Sequence, residues 1–206
     1  MAKSTKAQAL LQPRKRPGQA RSNETVAVIL VAAAHILETG GLGEYSTNSI
    51  ARRAGVSIGS VYQYFPSKDA ITVALIHQEG LKVALSIEKI SLLVMDWKEA
   101  IRQMIDVAVD HQLSRPQLAR ILDVEEARLR PQGLMENIPA LLTTVLGRGF
   151  PQAGTDRLHT LALDVMAITR AVTDVASGQG NVDRDGLRRR LGSAVFGYLE
   201  SASHWG

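Results

Sequence analysis

The sequence predicts an all-α protein of about nine helices in two domains, a short one at the amino end and a larger one behind it. Three observations predict this. Apolar residues recur at three- and four-residue spacing along most of the chain, the period of an amphipathic helix. No convincing segment alternates apolar and polar residues as a half-buried strand would. Breaks fall at Arg115-Pro116, Arg130-Pro131, Phe150-Pro151 and Ser177-Gly178-Gln179-Gly180-Asn181, where proline or glycine interrupts the period.

The elements follow in order. Residues 1–21 carry Pro13, Pro17, Gly18 and six basic residues without an acid, which reads as a flexible basic arm. A helix is expected over 22–39, with Val26, Ile29, Leu30, Ala33, Ile36 and Leu37 on one stripe. Ser22 or Asn23 can cap its start, and Gly40-Gly41 stop it. Two short helices follow at about 47–54 and 58–64. A long one begins after Ser67, and the domain boundary is placed at residue 70 within it. Further helices are expected near 97–113, 116–129, 133–148, 156–177 and 185–202. The domains are thus 1–21, 22–70 and 71–206.

Composition excludes several functions. There are 206 residues, 45% hydrophobic and 21% charged, with no cysteine. Disulfides, thiolate metal sites and thiol catalysis are therefore absent. No unbroken run of about 18 apolar residues exists, so no membrane span is expected. The basic start lacks a secretory apolar stretch of roughly 7–15 residues, and a cytoplasmic protein is expected. Residues 1–70 hold nine Lys and Arg against four acids, while the whole chain carries a net +4. A basic end on a near-neutral body suits an anionic polymer, although a solvated tail has the same composition.

Residues 46–70, STNSIARRAGVSIGSVYQYFPSKDA, carry the chemistry. Ser46 can cap the first short helix. Ile50 and Ala54 face inward, Ala51 lets a second helix cross closely, and Arg52 and Arg53 follow that inner face. Gly55 suits a left-handed residue that ends the helix in a tight turn. Val56 plugs the turn, Ser57 caps the next helix, and Val61 and Phe65 face inward. Ser57, Ile58, Gly59, Ser60, Gln63 and Tyr64 remain outside. Pro66 ends this helix, and Ser67 caps a third. Two short helices joined by a glycine turn describe a helix-turn-helix, whose second helix enters the major groove of DNA.

The run Ile-Ala-x-x-Ala-Gly-Val-Ser-x-Gly-Ser-Val-Tyr-x-Tyr-Phe-Pro-Ser-Lys resembles the DNA-binding signature of the tetracycline-repressor (TetR) family over about residues 25–75. The resemblance implies a ligand-responsive transcriptional regulator, most often a repressor, that binds a palindromic operator as a homodimer. It implies phosphate contacts from Ser46, Thr47, Tyr62 and Lys68, and a base or phosphate contact from Asn48. Ser57, Ile58, Gly59, Ser60, Gln63 and Tyr64 would form the reading face, with Gln63 pairing a base and Ile58 meeting a thymine methyl. Two departures stand out. Ser49 replaces an acid that completes a capping box in many members, which weakens a cap, and Ile58 replaces a lysine. Arg14-Lys15-Arg16 could enter a minor groove or simply be solvated.

In the resembled family the last two helices pair with their mates, which puts Leu161, Val165, Ile168 and Val172 of one, and Leu187, Leu191, Val195 and Tyr198 of the other, at a dimer interface. Burial within one subunit would account for part of each stripe. An effector pocket is expected among the middle helices, with Trp97, Met95, Met104, His111, Met135, His159, Met166 and Arg170 as lining candidates, although Met and His on a helix also serve as ordinary core. No cofactor and no metal are expected. Asp106, Asp110 and His111, or His159 with Asp164, lie at helical spacing. No phosphate loop, nucleophile elbow or His-Glu-x-x-His accompanies them, so an enzyme is not expected. A DNA binder controlled by a protein partner, with no small ligand, fits the same signature.

Overall fold

A computed structural model describes residues 20–131, 137–178 and 183–202. The described residues form nine α-helices and no strand: α1 (Ala20–Glu44), α2 (Thr47–Ala54), α3 (Ile58–Tyr64), α4 (Lys68–Leu93), α5 (Trp97–Ser114), α6 (Pro116–Leu129), α7 (Ile138–Gly149), α8 (Thr155–Ser177) and α9 (Arg184–Ala202). The basic arm falls almost wholly outside the described residues, as does Met135.

The chain divides into two compact units, Met1–Glu79 with Gln117–Gln132, and Gly80–Pro116 with Gly133–Gly206. The division lies nine residues later in α4 than the sequence suggests, between Glu79 and Gly80. Almost all of α6 joins the first unit, which no local pattern announces.

In the first unit α1 supplies Ile29, Ala33 and Leu37 to the interior. Its start differs from expectation, because Ser22 and Asn23 lie inside the helix rather than capping it. Its regular part ends where Gly41 takes φ 61° and ψ −161°, a conformation essentially reserved for glycine. Ile50 and Ala51 of α2, Val61 and Phe65 around α3, Ala70, Ile71 and Leu75 of α4, and Leu118 and Leu122 of α6 are also buried. Each large side chain among them contributes about 1.5–3 kcal/mol by leaving water. The fully buried Phe65 therefore anchors a helix only seven residues long, too short to persist alone in water.

Helices 22–44 and 68–93 are long and apolar enough to cross a membrane by length and composition, although neither holds an unbroken apolar run. Their buried faces supply core residues: Ile29 and Leu37 from the first, Ile71, Leu75, Val83 and Ile87 from the second.

The second unit is built round one aliphatic cluster that includes Val83, Ile101, Ile105, Val145, Leu146, Leu161, Val165, Leu187, Leu191 and Val195. Three arginines close helix ends there. Arg148 donates to the carbonyls of Ser91 and Val94 at the end of α4, Arg184 to Leu113 at the end of α5, and Arg157 to Ala202 at the end of α9. Each satisfies orphan carbonyls and places a cation at the negative end of a helix dipole.

Candidate nucleic-acid interface

The turn between α2 and α3 is set by its end groups. Gly55 has φ 67° and ψ 27°, the left-handed conformation. Its N–H donates to the carbonyl of Arg52, and the N–H of Val56 donates to that of Ala51, the paired bonds of a Schellman ending. An alanine at 55 would carry a strained Cβ in that conformation. The chain thus doubles back, and Ser57 opens α3 by accepting from the N–H of Ser60 at 3.0 Å.

The start of α2 corrects one expectation. Ser46 Oγ accepts from the N–H of Ser49 at 3.1 Å, and Ser49 Oγ accepts from the N–H of Ser46 at 3.0 Å. The capping box is complete without an acid, because a hydroxyl can accept the same bond as a carboxylate. The helix start therefore keeps its partial positive charge with no carboxylate of its own beside it.

Apart from this box, the sequence-predicted DNA residues share an open surface. Ser46, Asn48, Ser57, Ile58, Gly59, Tyr62, Gln63 and Lys68 are exposed, and Thr47, Ser60 and Tyr64 are half-buried. Tyr62 is 44% exposed and its hydroxyl lies 3.2 Å from Thr47 Oγ1, so the two expected phosphate ligands already stand together. Ser22 Oγ donates to the hydroxyl of Tyr64 at 3.3 Å, which fixes the far end of α3 against α1. Ile58 leaves an aliphatic side chain 38% exposed in a polar neighbourhood.

Gly59 is informative because nothing inside the protein requires it. A Cβ built there meets only Ser57 Oγ, at 3.7 Å, an ordinary contact, and its φ is not positive. Arg52 and Arg53 are both exposed, not on the inner face. With Ile36, Glu44, Ser46 and Ser49 they line a groove of about 640 Å³ between α1 and α2.

Sequence reasoning placed the start of α4 after Ser67 but missed the ion pair made there. Asp69, in its first turn, accepts from Arg128 of α6 at 2.8 Å. Arg128 also donates to both carboxylate oxygens of the buried Glu125. Beneath them, the hydroxyl of Thr72 donates to that of Tyr45 at 3.1 Å. Burial holds the Tyr45 phenol well above its ordinary pKa. Asp69 and Glu125 push the same way, while the Thr72 bond opposes them. No sequence-local signal brings α6 here.

The second unit separates the remaining candidates. Met104 is buried in the aliphatic cluster, and Trp97 and Met166 pack against it. Trp97 packs at a steep tilt against Phe150 and Phe196, with centroids 5.4 and 6.3 Å away. It lies so close over Gly149 that a Cβ there would come within 2.5 Å of the ring. His111 is half-buried, while Met95, His159 and Arg170 are exposed, so these three do not line an interior space. A groove of about 580 Å³ between α5 and α9 includes Arg102, Asp106, Arg188 and Phe196 and none of the candidates. Asp106 and Asp110 are ion-paired to Arg188 at 2.9 and 2.7 Å.

Most of the expected dimer stripe is buried within one protomer. Leu161, Val165, Leu187, Leu191 and Val195 are 0–3% exposed within a single protomer, because the apolar faces of α8 and α9 fill their own unit's core. Ile168, Val172 and Tyr198 are partly buried against the same cluster. Tyr198 donates to Asp164 of α8, and burial first, then that bond, push the phenol up to about 12. The open face of α8 carries Leu163, 45% exposed, and Val175, 66% exposed, with Ala167 and Ala171 between them. That of α9 carries Ala194 and Gly197.

Comparison with known proteins agrees with this geometry. Residues 29–75 match the family profile of bacterial regulatory proteins of the tetR family. Residues 96–199 match the tetracyclin repressor-like C-terminal domain. The chain is 30% identical over 160 residues to the HTH-type transcriptional regulator EthR of Mycolicibacterium smegmatis, covering 72% of each chain. It is 27% identical over 179 residues to an uncharacterized HTH-type transcriptional regulator of Mycobacterium bovis, covering 83% of this chain and 92% of that one. Its fold resembles a TetR-family regulator of Mesorhizobium loti with a TM-score of 0.71 at 20% identity, covering 89% of this chain and 98% of that one. It also resembles the fatty acid degradation regulator FadR of Bacillus halodurans, with a TM-score of 0.69 at 17% identity, covering 90% and 98%. With both family profiles matched in order along one chain, and the helix-turn-helix standing open at its surface, this protein belongs to the TetR family and is a DNA-binding transcriptional regulator.

Proposed function

We propose that the protein is a cytoplasmic, ligand-responsive repressor that binds a palindromic operator as a homodimer and leaves it when a small molecule occupies the second unit. The observation that carries the DNA reading is Gly59. Glycine in a helix costs up to about 1 kcal/mol relative to alanine, and no neighbour in the protein requires it. A position kept bare for no internal reason suits close approach of an external backbone. In this reading Tyr62, Thr47, Ser46 and Lys68 hold phosphates, Asn48 reaches the groove edge, and Ser57, Ile58, Gly59, Ser60, Gln63 and Tyr64 face the bases.

One head of two short helices has little surface for operator-grade affinity, and a two-fold dimer doubles it. The open face of α8 and α9 supports the pairing. Leu163, Ala167, Ala171 and Val175 recur every four residues, so they share one helix face. Gly197 has open space where a Cβ would stand, which suits a second helix crossing closely. Ile168, Val172 and Tyr198 would flank this contact.

Effector release would act by population shift between forms with rightly and wrongly spaced reading heads. The walls of an effector site near Trp97, Met104 and Met166 would be aliphatic and aromatic, which favours an apolar effector. His111 would sit at its margin.

Selection of bound fragments from the source genome tests the whole reading. The expected product is an inverted repeat whose half-sites are centred about 34–36 Å apart, or a multiple of that turn. Recovery of no common sequence, or of a single unrepeated half-site, would refute it.

A further inference from the structure

Helix α6 lies well past the expected domain boundary, yet it is built into the DNA-binding unit. Leu118 and Leu122 bury one of its faces, and Glu125 is buried on the same face. One turn further, Arg128 forks. Its Nε donates to Glu125 at 3.0 and 3.2 Å, and a terminal nitrogen donates to Asp69 at 2.8 Å. Asp69 is 59 residues away in sequence and directly follows Lys68, in the first turn of α4. The carboxylate thus lies in the same helical turn as the lysine assigned to a phosphate, close enough for its charge to oppose the approach of DNA.

We propose that Arg128 is a positioning residue for operator binding: shared between Glu125 and Asp69, it offsets part of the Asp69 charge and fixes the first turn of α4, so that Lys68 meets a phosphate against less carboxylate repulsion. This rests on the assignment of Lys68 to a phosphate. The guanidinium reaches no DNA itself in this scheme. It acts through Asp69, and its effect is electrostatic, so it must fade as salt rises.

The test is operator titration by fluorescence anisotropy across a salt series, using the full-length protein. Arg128→Gln removes the charge and is expected to weaken binding about fivefold per reading head at low salt, or about 25-fold for two heads. The deficit should shrink as salt increases. Arg128→Lys keeps the charge but loses the fork that reaches Glu125 and Asp69 together, so it should fall between the parent and Arg128→Gln. Asp69→Asn added to Arg128→Gln should restore affinity, because the exposed charge is gone. Arg128→Gln leaves Glu125 buried without its partner, so it can lose the fold. Glu125→Gln with Arg128→Gln removes that burden and is compared with Glu125→Gln alone.

Folded variants with unchanged affinity and salt slope would overturn the proposal. So would a deficit that is independent of salt and not reversed by Asp69→Asn, which marks a purely structural clamp. Lys68→Ala separates the two levels. Normal operator binding by that variant strikes the site reading itself. Weak binding by it beside normal binding by the Arg128 variants overturns the inference alone.

Discussion

Replacing Gly59 by alanine should make the protein more stable and a worse DNA binder at the same time. The structure sets both signs. A methyl at 59 meets only Ser57 Oγ at 3.7 Å, so it adds no clash, and the backbone is not left-handed there. Alanine reduces the entropy of the unfolded chain, a gain of about 0.4–1 kcal/mol at compatible sites. Position 59 lies in the first turn of α3, so the low end applies. A chain of this size gains about 2–4 °C per kcal/mol, which gives an expected rise of about 1–2 °C. On the DNA side the methyl enters the gap between α3 and the groove. It must either be desolvated without a partner or hold the helix off by a fraction of its own radius. Loss of one good base contact costs about 1–3 kcal/mol, and displacing the helix weakens more than one, so an operator affinity at least about tenfold lower is expected. Differential scanning fluorimetry and anisotropy titration on one preparation read both quantities. Opposite signs exclude general misfolding as a cause. Unchanged affinity would show that Gly59 does not face DNA, and a lowered melting temperature would show that glycine serves the fold. Either result refutes the argument that carries the proposed function.

Tyr62→Phe and Lys68→Ala should each weaken binding on all sequences alike, whereas Gln63→Ala should change sequence preference in a selection experiment; the reverse pattern would exchange their roles. Leu163→Asp with Val175→Asp should yield a folded monomer by light scattering, since both side chains are exposed in the protomer, while Leu191→Ala should cost about 2–5 kcal/mol of stability as a core truncation. Removing residues 1–19 should flatten the salt dependence of operator binding, read as the slope of log affinity on log salt; an unchanged slope would assign the arm no part in binding.

The helix count and most helix limits were legible because proline and glycine mark them. Pro116, Pro131 and Pro151 each fall at or near a helix end, and Gly41 and Gly55 take positive φ where the period breaks. The reading helix was legible because each position from Ser46 to Ser67 is constrained by a cap, a turn or burial. Three features were not legible, for separate reasons. Helical periodicity shows that a face of α8 is apolar but not whose core it fills, so the expected interface falls on the buried Leu161 and Val165 and misses the exposed Leu163. Residue type alone suggested the effector lining, which placed the exposed His159 and Arg170 beside the buried Met104. The Arg128–Asp69 pair joins residues far apart in the chain, and neither has an unusual neighbour in sequence.

The charge of the folded reading head bears on how it holds DNA. Residues 20–79 contain four basic residues, Arg21, Arg52, Arg53 and Lys68, and five acidic ones, Glu24, Glu38, Glu44, Asp69 and Glu79. The α6 segment of the same unit adds Arg120, Arg128 and Arg130 against Asp123, Glu125 and Glu126, so net charge cannot draw this unit to a polyanion. The attraction must come from groups whose direction matters more than their charge: hydroxyls of Ser46, Thr47 and Tyr62, the positive dipole end at the start of α2, and one lysine. Such contacts are short in range and fall off within a turn of helix, so they fix register but give little long-range steering. Against that background each local acid counts, which is why a serine rather than an acid at 49, and an arginine held over Asp69, belong to the same physical solution. The five basic residues before position 20 are a further source of long-range attraction in the same part of the sequence.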